Sequence, residues 1–139
     1  LEPTRDAVRA HGWDGTVDAV FSIDTLVHLT FTQVVAVMLN AALCLSEGGV
    51  LAFTFACGTS MAGMTKLVGD LDRVIREGSD PSTGCFHFVS PEMVRGVAVA
   101  MGFDVVICDV DPLHGRDGHF VGRLRERARA VAWDALRRR

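Results

Sequence analysis

No apolar stretch in this sequence approaches the eighteen or so residues that a membrane-spanning helix requires, so a water-soluble chain is expected. No basic-then-apolar leader opens it, and the expected compartment is the cytoplasm. The four cysteines (Cys44, Cys57, Cys85, Cys108) form no C-x-x-C pair and keep no zinc-like spacing with the five histidines. Reduced, partly buried thiols are therefore expected, and no metal site. There is no linker, internal repeat or low-complexity tract. The first residue is Leu1 and not Met, which leads us to expect that translation begins upstream.

What is present suits one packed domain spanning residues 1–139. The chain has 139 residues and a mass of 15.0 kDa, with 49% apolar and 22% charged residues. That is ordinary for a globular core and wrong for a disordered segment. The net charge of −3 is uneven. From Arg116 to Arg139, eight arginines face three acids, a balance of +5, which leaves −8 on the first 115 residues. A solvated basic helix or tail over 126–139 is the plain reading of this asymmetry, and a nucleic-acid patch ranks below it.

The pattern along the chain is that of an α/β protein. Leu1 to Gly15 suits a short helix. Val17 to Ile23 (VDAVFSI) is a β-rich run that reads as a buried strand. Thr30 with Gln33 forms a capping box at the start of a helix whose face is Val34, Val37, Met38, Ala41 and Leu45, with Gly48-Gly49 as its stop. Val50 to Phe55 (VLAFTF) follows as a nearly continuous apolar strand, which suggests cover on both faces. Strand, helix and strand make one βαβ unit. Ala56 to Ser60 is a loop at a strand's carboxyl end, where open α/β sheets bind ligands. Met64 to Glu77 has a helical pattern (Leu67, Leu71, Val74, Ile75), and Ser79 to Gly84 is turn chemistry. Ser90-Pro91-Glu92 starts another helix, which stops at Met101-Gly102. Phe103 to Cys108 and His119 to Leu124 are two more strands, able to pair as an antiparallel hairpin across the Pro112 to Gly118 turn. The Arg-rich end is a marginal amphipathic helix.

Three stretches together resemble the second half of a class I S-adenosylmethionine-dependent methyltransferase. Val17 to Thr30 is similar to that family's fourth strand and following loop: D-x-V-x-S-x-D-x-L-x-H is met here by Asp18, Val20, Ser22, Asp24, Leu26 and His28. Leu45 to Phe55 (LSEGGVLAFTF) resembles its Gly-Gly and fifth strand, and Phe86 to Val106 its late helix and sixth strand. The resemblance covers about residues 16–125. It implies a partial Rossmann-like sheet, mostly parallel with an antiparallel last strand, and helices on both faces. The family's glycine-rich loop, E/D-x-G-x-G-x-G, is not in the sequence, nor is the acid that holds the ribose. A fragment comprising strands four to seven is therefore the expectation.

By that resemblance, Ser22, Ile23 and Asp24 border the methionine end of the S-adenosylmethionine cofactor, and Asp24 favours a cation there. Asp24 also fits a plain turn cap, and both readings stand. His28 fits a cofactor-loop residue or a packing and hydrogen-bonding one. His87, between Phe86 and Phe88, is the candidate general base, its plainer alternative being an exposed edge residue. Met61 and Met64 fit an apolar lid or core packing. Asp109, Asp111, His114 and His119 lack the spacing of any defined metal site.

The function implied is methyl transfer to a small molecule, by a chain whose own cofactor binding is in doubt without the glycine loop. The alternative is a non-catalytic oligomerisation or interaction module. Without strands one to three, Val17 to Ile23 is an apolar sheet edge that a homo-oligomer or a complementary chain would cover.

Overall fold

The computed structural model describes residues 5–78, 84–111 and 113–137. The element order is α1 (Arg5–Ala10), β1 (Val17–Ser22), a single 3-10 turn (Leu26–His28), α2 (Phe31–Cys44), β2 (Leu45–Ala56), α3 (Met61–Glu77), α4 (Pro91–Ala100), β3 (Phe103–Asp109), β4 (Asp117–Leu124) and α5 (Arg127–Arg137). Residues 1–4 of the expected first helix, and most of the Ser79 to Gly84 turn, lie outside the described residues.

The four strands form one sheet in the order β1-β2-β4-β3. β1 and β2 are parallel, and β4 runs antiparallel to both of its neighbours. β3 therefore points the same way as β1 and β2. The expected mostly parallel α/β sheet with an antiparallel last strand is present. β3 and β4 pair as the expected hairpin, and the register wedges β4 between β2 and β3.

Local chemistry sets the helix starts. Thr30 caps α2 with both halves of the capping box in place: its hydroxyl accepts from the Gln33 N–H, and its own N–H donates to Gln33 Oε1 at 2.8 Å. Ser90 caps α4, with Pro91 in its first turn. Ser60 caps α3, which starts at Met61, a turn before the sequence pattern suggests. The end of α2 differs from expectation. It stops at Cys44, and Leu45 opens β2 instead of closing the helix. The reason is tertiary: the Leu43 and Cys44 carbonyls accept from the Gly15 and Thr16 N–H groups, both at 3.0 Å, and Arg127 Nη2 adds a bond to Leu43 O at 2.8 Å. Leu45 then pairs with Val17.

The core fills one face of the sheet. Leu51, Phe53 and Phe55 of β2 lie beside Gly122, Phe120 and Gly118 of β4, and Phe53 stacks on Phe120 at 4.8 Å. Val34 and Met38 of α2, Val94 and Ala98 of α4, and Ala130 of α5 join the same buried cluster. Burying each of the larger side chains contributes about 1.5–3 kcal/mol. Gly118 has a packing role. A Cβ there would stand 2.3 Å from Cζ of Phe55, so the ring lies where a side chain would otherwise be.

Helices surround the sheet unequally. β1→β2 and β2→β3 step across it in the same direction, and crossovers of one hand then lay their helices on the same face. The opposite face carries a register-aligned row across all four strands: Phe21, Ala52, Val121 and Ile107. Phe21 is 77% exposed. The Leu71 and Ile75 stripe of α3 is likewise open, and Met64, a core candidate by sequence, is exposed with Met61. Within α3, buried Asp70 pairs with Lys66 and, at 3.2 Å, with Arg73, and Arg73 Nη2 donates to Gly84 O at 3.2 Å, which ties the helix to the segment after it.

Candidate functional site at the carboxyl ends of β1 and β2

β1 ends at half-buried Ser22, and the chain leaves the sheet through Ile23 and Asp24. Asp24 has φ 55°, the only non-glycine positive φ among the described residues. Left-handed backbone costs an L-residue about 1 kcal/mol or more, and Asp tolerates it better than most. The turn is held by its neighbours. The Asp24 N–H donates to Thr54 Oγ1 of β2 at 2.9 Å, and buried Leu26 and Val27 anchor the 3-10 turn that follows.

Residues 85–89 form a strap across the same ends. The His87 N–H donates to Val27 O at 3.0 Å, the Val89 N–H to Ala56 O at 2.9 Å, and the Gly58 N–H to Val89 O at 3.2 Å. Close approach at Gly63 fixes the neighbouring start of α3, since a Cβ there would fall 1.8 Å from Cys57 O.

The Phe86 ring is the hub. The Arg116 guanidinium lies 4.7 Å from its centroid, Lys66 Nζ 4.9 Å, and the His28 ring meets it edge-on at 5.0 Å. Arg116 Nε donates to Asp117 Oδ1 at 2.8 Å, and Nη2 reaches Asp24 Oδ1 at 3.4 Å. The hydrogen bond to Asp117 pushes the Arg116 pKa further up, so it is a permanent cation. The Asp24 carboxylate is 69% exposed and Arg116 41%, so their pair is worth well under about 1 kcal/mol and Asp24 stays open to another cation.

The candidates divide as follows. Ser22, Ile23 and Asp24 line the exit of β1, but Ile23, 71% exposed, belongs with Thr54 and His119 to a shallow depression on the bare face. His28 is half-buried, with Nδ1 3.2 Å from Cys85 O, which favours its packing and hydrogen-bonding role. His87 is not an exposed edge residue. Its Nε2 is buried and has no hydrogen-bond partner. The strap thus brings His28 and His87 to the Asp24 loop, while Asp111 and His114 form a separate exposed pair at 3.4 Å.

Sequence reading missed Thr54, Phe86, Lys66 and Arg116. Thr54 had a signal, as the one polar side chain in VLAFTF. Arg116 had none, since only the pairing of Ala56 with Asp117 carries it to this end of β2. All four cysteines are free thiols. Burial pushes the Cys108 thiol pKa up. Among the described residues no helix is long and apolar enough to cross a membrane.

No family model matches the chain, and no curated protein matches its sequence. Solved structures do match. A SAM-dependent methyltransferase of Thermotoga maritima, described as a possible histamine N-methyltransferase, superposes with TM-score 0.56 at 13% identity over 79% of this chain and 57% of its own. The magnesium protoporphyrin IX methyltransferase of Synechocystis PCC 6803, with SAH bound, gives 0.55 at 12% identity over 79% and 46%. An O-methyltransferase family protein of Burkholderia thailandensis gives 0.53 at 19% over 87% and 40%. The chain has a methyltransferase-like fold and spans about half the length of these neighbours.

Proposed function

We propose that this chain contributes the methionine end of an S-adenosylmethionine site and serves methyl transfer to a small molecule. The observation that carries the reading is Asp24: a strained, exposed carboxylate held by Thr54 at the carboxyl ends of two parallel strands, where open α/β sheets take ligands. These residues fit one end of the cofactor. An exposed carboxylate suits a sulfonium, and the strand end offers backbone groups at Ser22 and Ile23. S-adenosylmethionine, when bound, supplies an electrophilic methyl group. The chain's own work is to attract the positive charge through Asp24, position it and exclude water. Arg116 pairs only loosely with Asp24, which leaves the carboxylate free for the sulfonium. His87 is the candidate base for a substrate hydroxyl or amine. Its buried Nε2 meets a substrate only once the 85–89 strap lifts.

The sequence has no glycine-rich adenosine cradle, so binding by this chain alone is expected to be weak, with Kd on the order of millimolar. A titration followed by NMR should shift the amides of Ser22, Ile23 and Asp24, more with S-adenosylmethionine than with S-adenosylhomocysteine, which lacks the sulfonium charge. Asp24→Asn should erase that difference. Shifts confined to other residues, or none at 10-fold above about 1 mM, would overturn the reading.

A further inference from the structure

Two cations attend the Phe86 ring in a part of the chain that is otherwise acidic. Residues 1–115 carry a net charge of −8, and Lys66 is the only lysine in the sequence, against thirteen arginines. Its Nζ nevertheless lies 4.9 Å from the Phe86 centroid, with the Arg116 guanidinium 4.7 Å from the same point. Like charges brought together in this way repel, and each is held by a carboxylate of its own: Asp70 at Lys66 and Asp117 at Arg116. Those pairs leave donors unused. Among the described residues, the Lys66 ammonium has one acceptor for its three N–H groups, and Arg116 Nη1 has none. Both side chains reach solvent, Lys66 at 32% and Arg116 at 41% exposed. A ring face is the weaker partner for such groups, since an anionic oxygen makes charge-assisted hydrogen bonds with them.

We infer that Lys66 and Arg116 form the seat of a carboxylate, and that the methyl acceptor is a small monoanionic acid. The carboxylate takes the two cations from Phe86. The ring then loses two of the contacts that pin the 85–89 strap, and the buried Nε2 of His87 comes within reach of the acceptor's hydroxyl or amine. One negative charge suits the seat better than two. Asp24, 3.4 Å from Arg116, joins Asp70 and Asp117 to match the charges of Lys66, Arg73 and Arg116. A sulfonium beside Asp24 adds one positive charge, which a monoanion balances and a dianion exceeds. A neutral acceptor leaves it uncompensated. That the ligand is a methyl acceptor rests on the function proposed above, whereas the anion seat is measured without cofactor.

The test is an NMR titration of the full chain with sodium benzoate at fixed ionic strength, against benzamide, which has the same shape and no charge. Benzoate should shift the amides of Phe86 and His87 and the Arg116 Nε–H, with Kd on the order of 1–10 mM. The His87 amide, which donates to Val27 O, should exchange with solvent at least about tenfold faster once benzoate is bound. Benzamide should do neither, and phenyl phosphate at a pH where it is a dianion should bind more weakly than benzoate. Lys66→Gln should weaken benzoate by about 10-fold or more, and Lys66→Arg should keep it within about threefold. Arg76→Gln, at an exposed cation of α3, should change nothing. Lys66→Arg and the benzoate–benzamide contrast retain the charge beside buried Asp70, so they keep the test intact should Lys66→Gln misfold. Equal binding of benzamide, tighter binding of phenyl phosphate, shifts confined to other residues, or unchanged or slower exchange at His87 would each overturn the inference. If benzoate binds as expected while S-adenosylmethionine leaves Ser22, Ile23 and Asp24 unshifted, the methyl-transfer reading falls and the carboxylate seat stands; the converse result overturns the seat alone.

Discussion

Gly118→Ala tests the packing that sets the carboxyl end of the sheet. The added methyl would stand 2.3 and 2.5 Å from Cζ and Cε2 of Phe55, where carbon atoms settle at about 3.5–4 Å. The ring must move by an ångström or more. Phe55 is 1% exposed and packs edge-on against Phe53 at 6.2 Å, so there is no open space to move into. Leaving its rotamer well costs about 0.5–1.5 kcal/mol, and overpacking a well-filled core about 1–3 kcal/mol. Against this stands a gain of about 0.5–1 kcal/mol from the stiffer unfolded chain. The net expectation is a loss of about 2 kcal/mol, a large part of the 5–15 kcal/mol typical of a domain. Urea unfolding followed by the fluorescence of Trp13 and Trp133 and by circular dichroism measures it. The second arm is Phe55→Leu, which removes the ring. In that background Gly118→Ala should cost less than about 0.5 kcal/mol, giving a coupling of 1–2 kcal/mol. An undiminished cost in the Phe55→Leu background, or no cost in the native one, would refute the argument that the ring occupies the glycine's vacancy.

Other measurements probe the helix starts, the candidate site and the thiols. Thr30→Ala removes the hydroxyl half of the capping box and should cost about 1 kcal/mol in urea unfolding. Thr30→Ser should restore most of it. Thr54→Val deletes the acceptor of the Asp24 N–H; hydrogen exchange at that amide should accelerate at least tenfold while global stability falls by about 1 kcal/mol or less, and unchanged protection would count against Thr54 as the clamp. A thiol reagent should label half-buried Cys44 first, with Cys57, Cys85 and Cys108 reacting only as the chain opens. The Cys108 pKa is raised by burial from its ordinary 9.0, so its contribution to stability is full below about pH 9 and is lost as pH rises through the folded value. Cys108→Ala should flatten that alkaline decline, and an equal slope in both proteins would contradict it.

Much of this architecture was legible along the chain because its signals are local. A hydroxyl with an amide three residues on, Ser-Pro-Glu before an apolar period, and a run such as VLAFTF each satisfy or spoil backbone hydrogen bonds within a few residues. α2, α4, β1, β3 and β4 therefore begin close to where the sequence suggests, whereas β2 begins at Leu45, ahead of the expected Val50. The end of α2 was not legible, because Gly15, Thr16 and Arg127, all remote in sequence, take the carbonyls that would have continued the helix. The α3 stripe misled for the opposite reason: periodicity reports that a face is apolar and says nothing about whether anything packs on it.

The candidate site divides in the same way. Ser22, Asp24, His28 and His87 could be picked out because strand ends and polar breaks are sequence features. Their partners could not. Thr54 meets Asp24 through the β1–β2 pairing, and Arg116 arrives through the register of β4. The sequence by itself determined the elements, their caps and the α/β class, since these rest on hydrogen bonds and periodicities that close within a turn or a strand. Only the tertiary structure decided that β4 wedges between β2 and β3, that Phe86 sits among two cations and a histidine, and that α2, α4 and α5 share one core against the sheet. Those outcomes depend on which distant surfaces meet, and no local spacing encodes that.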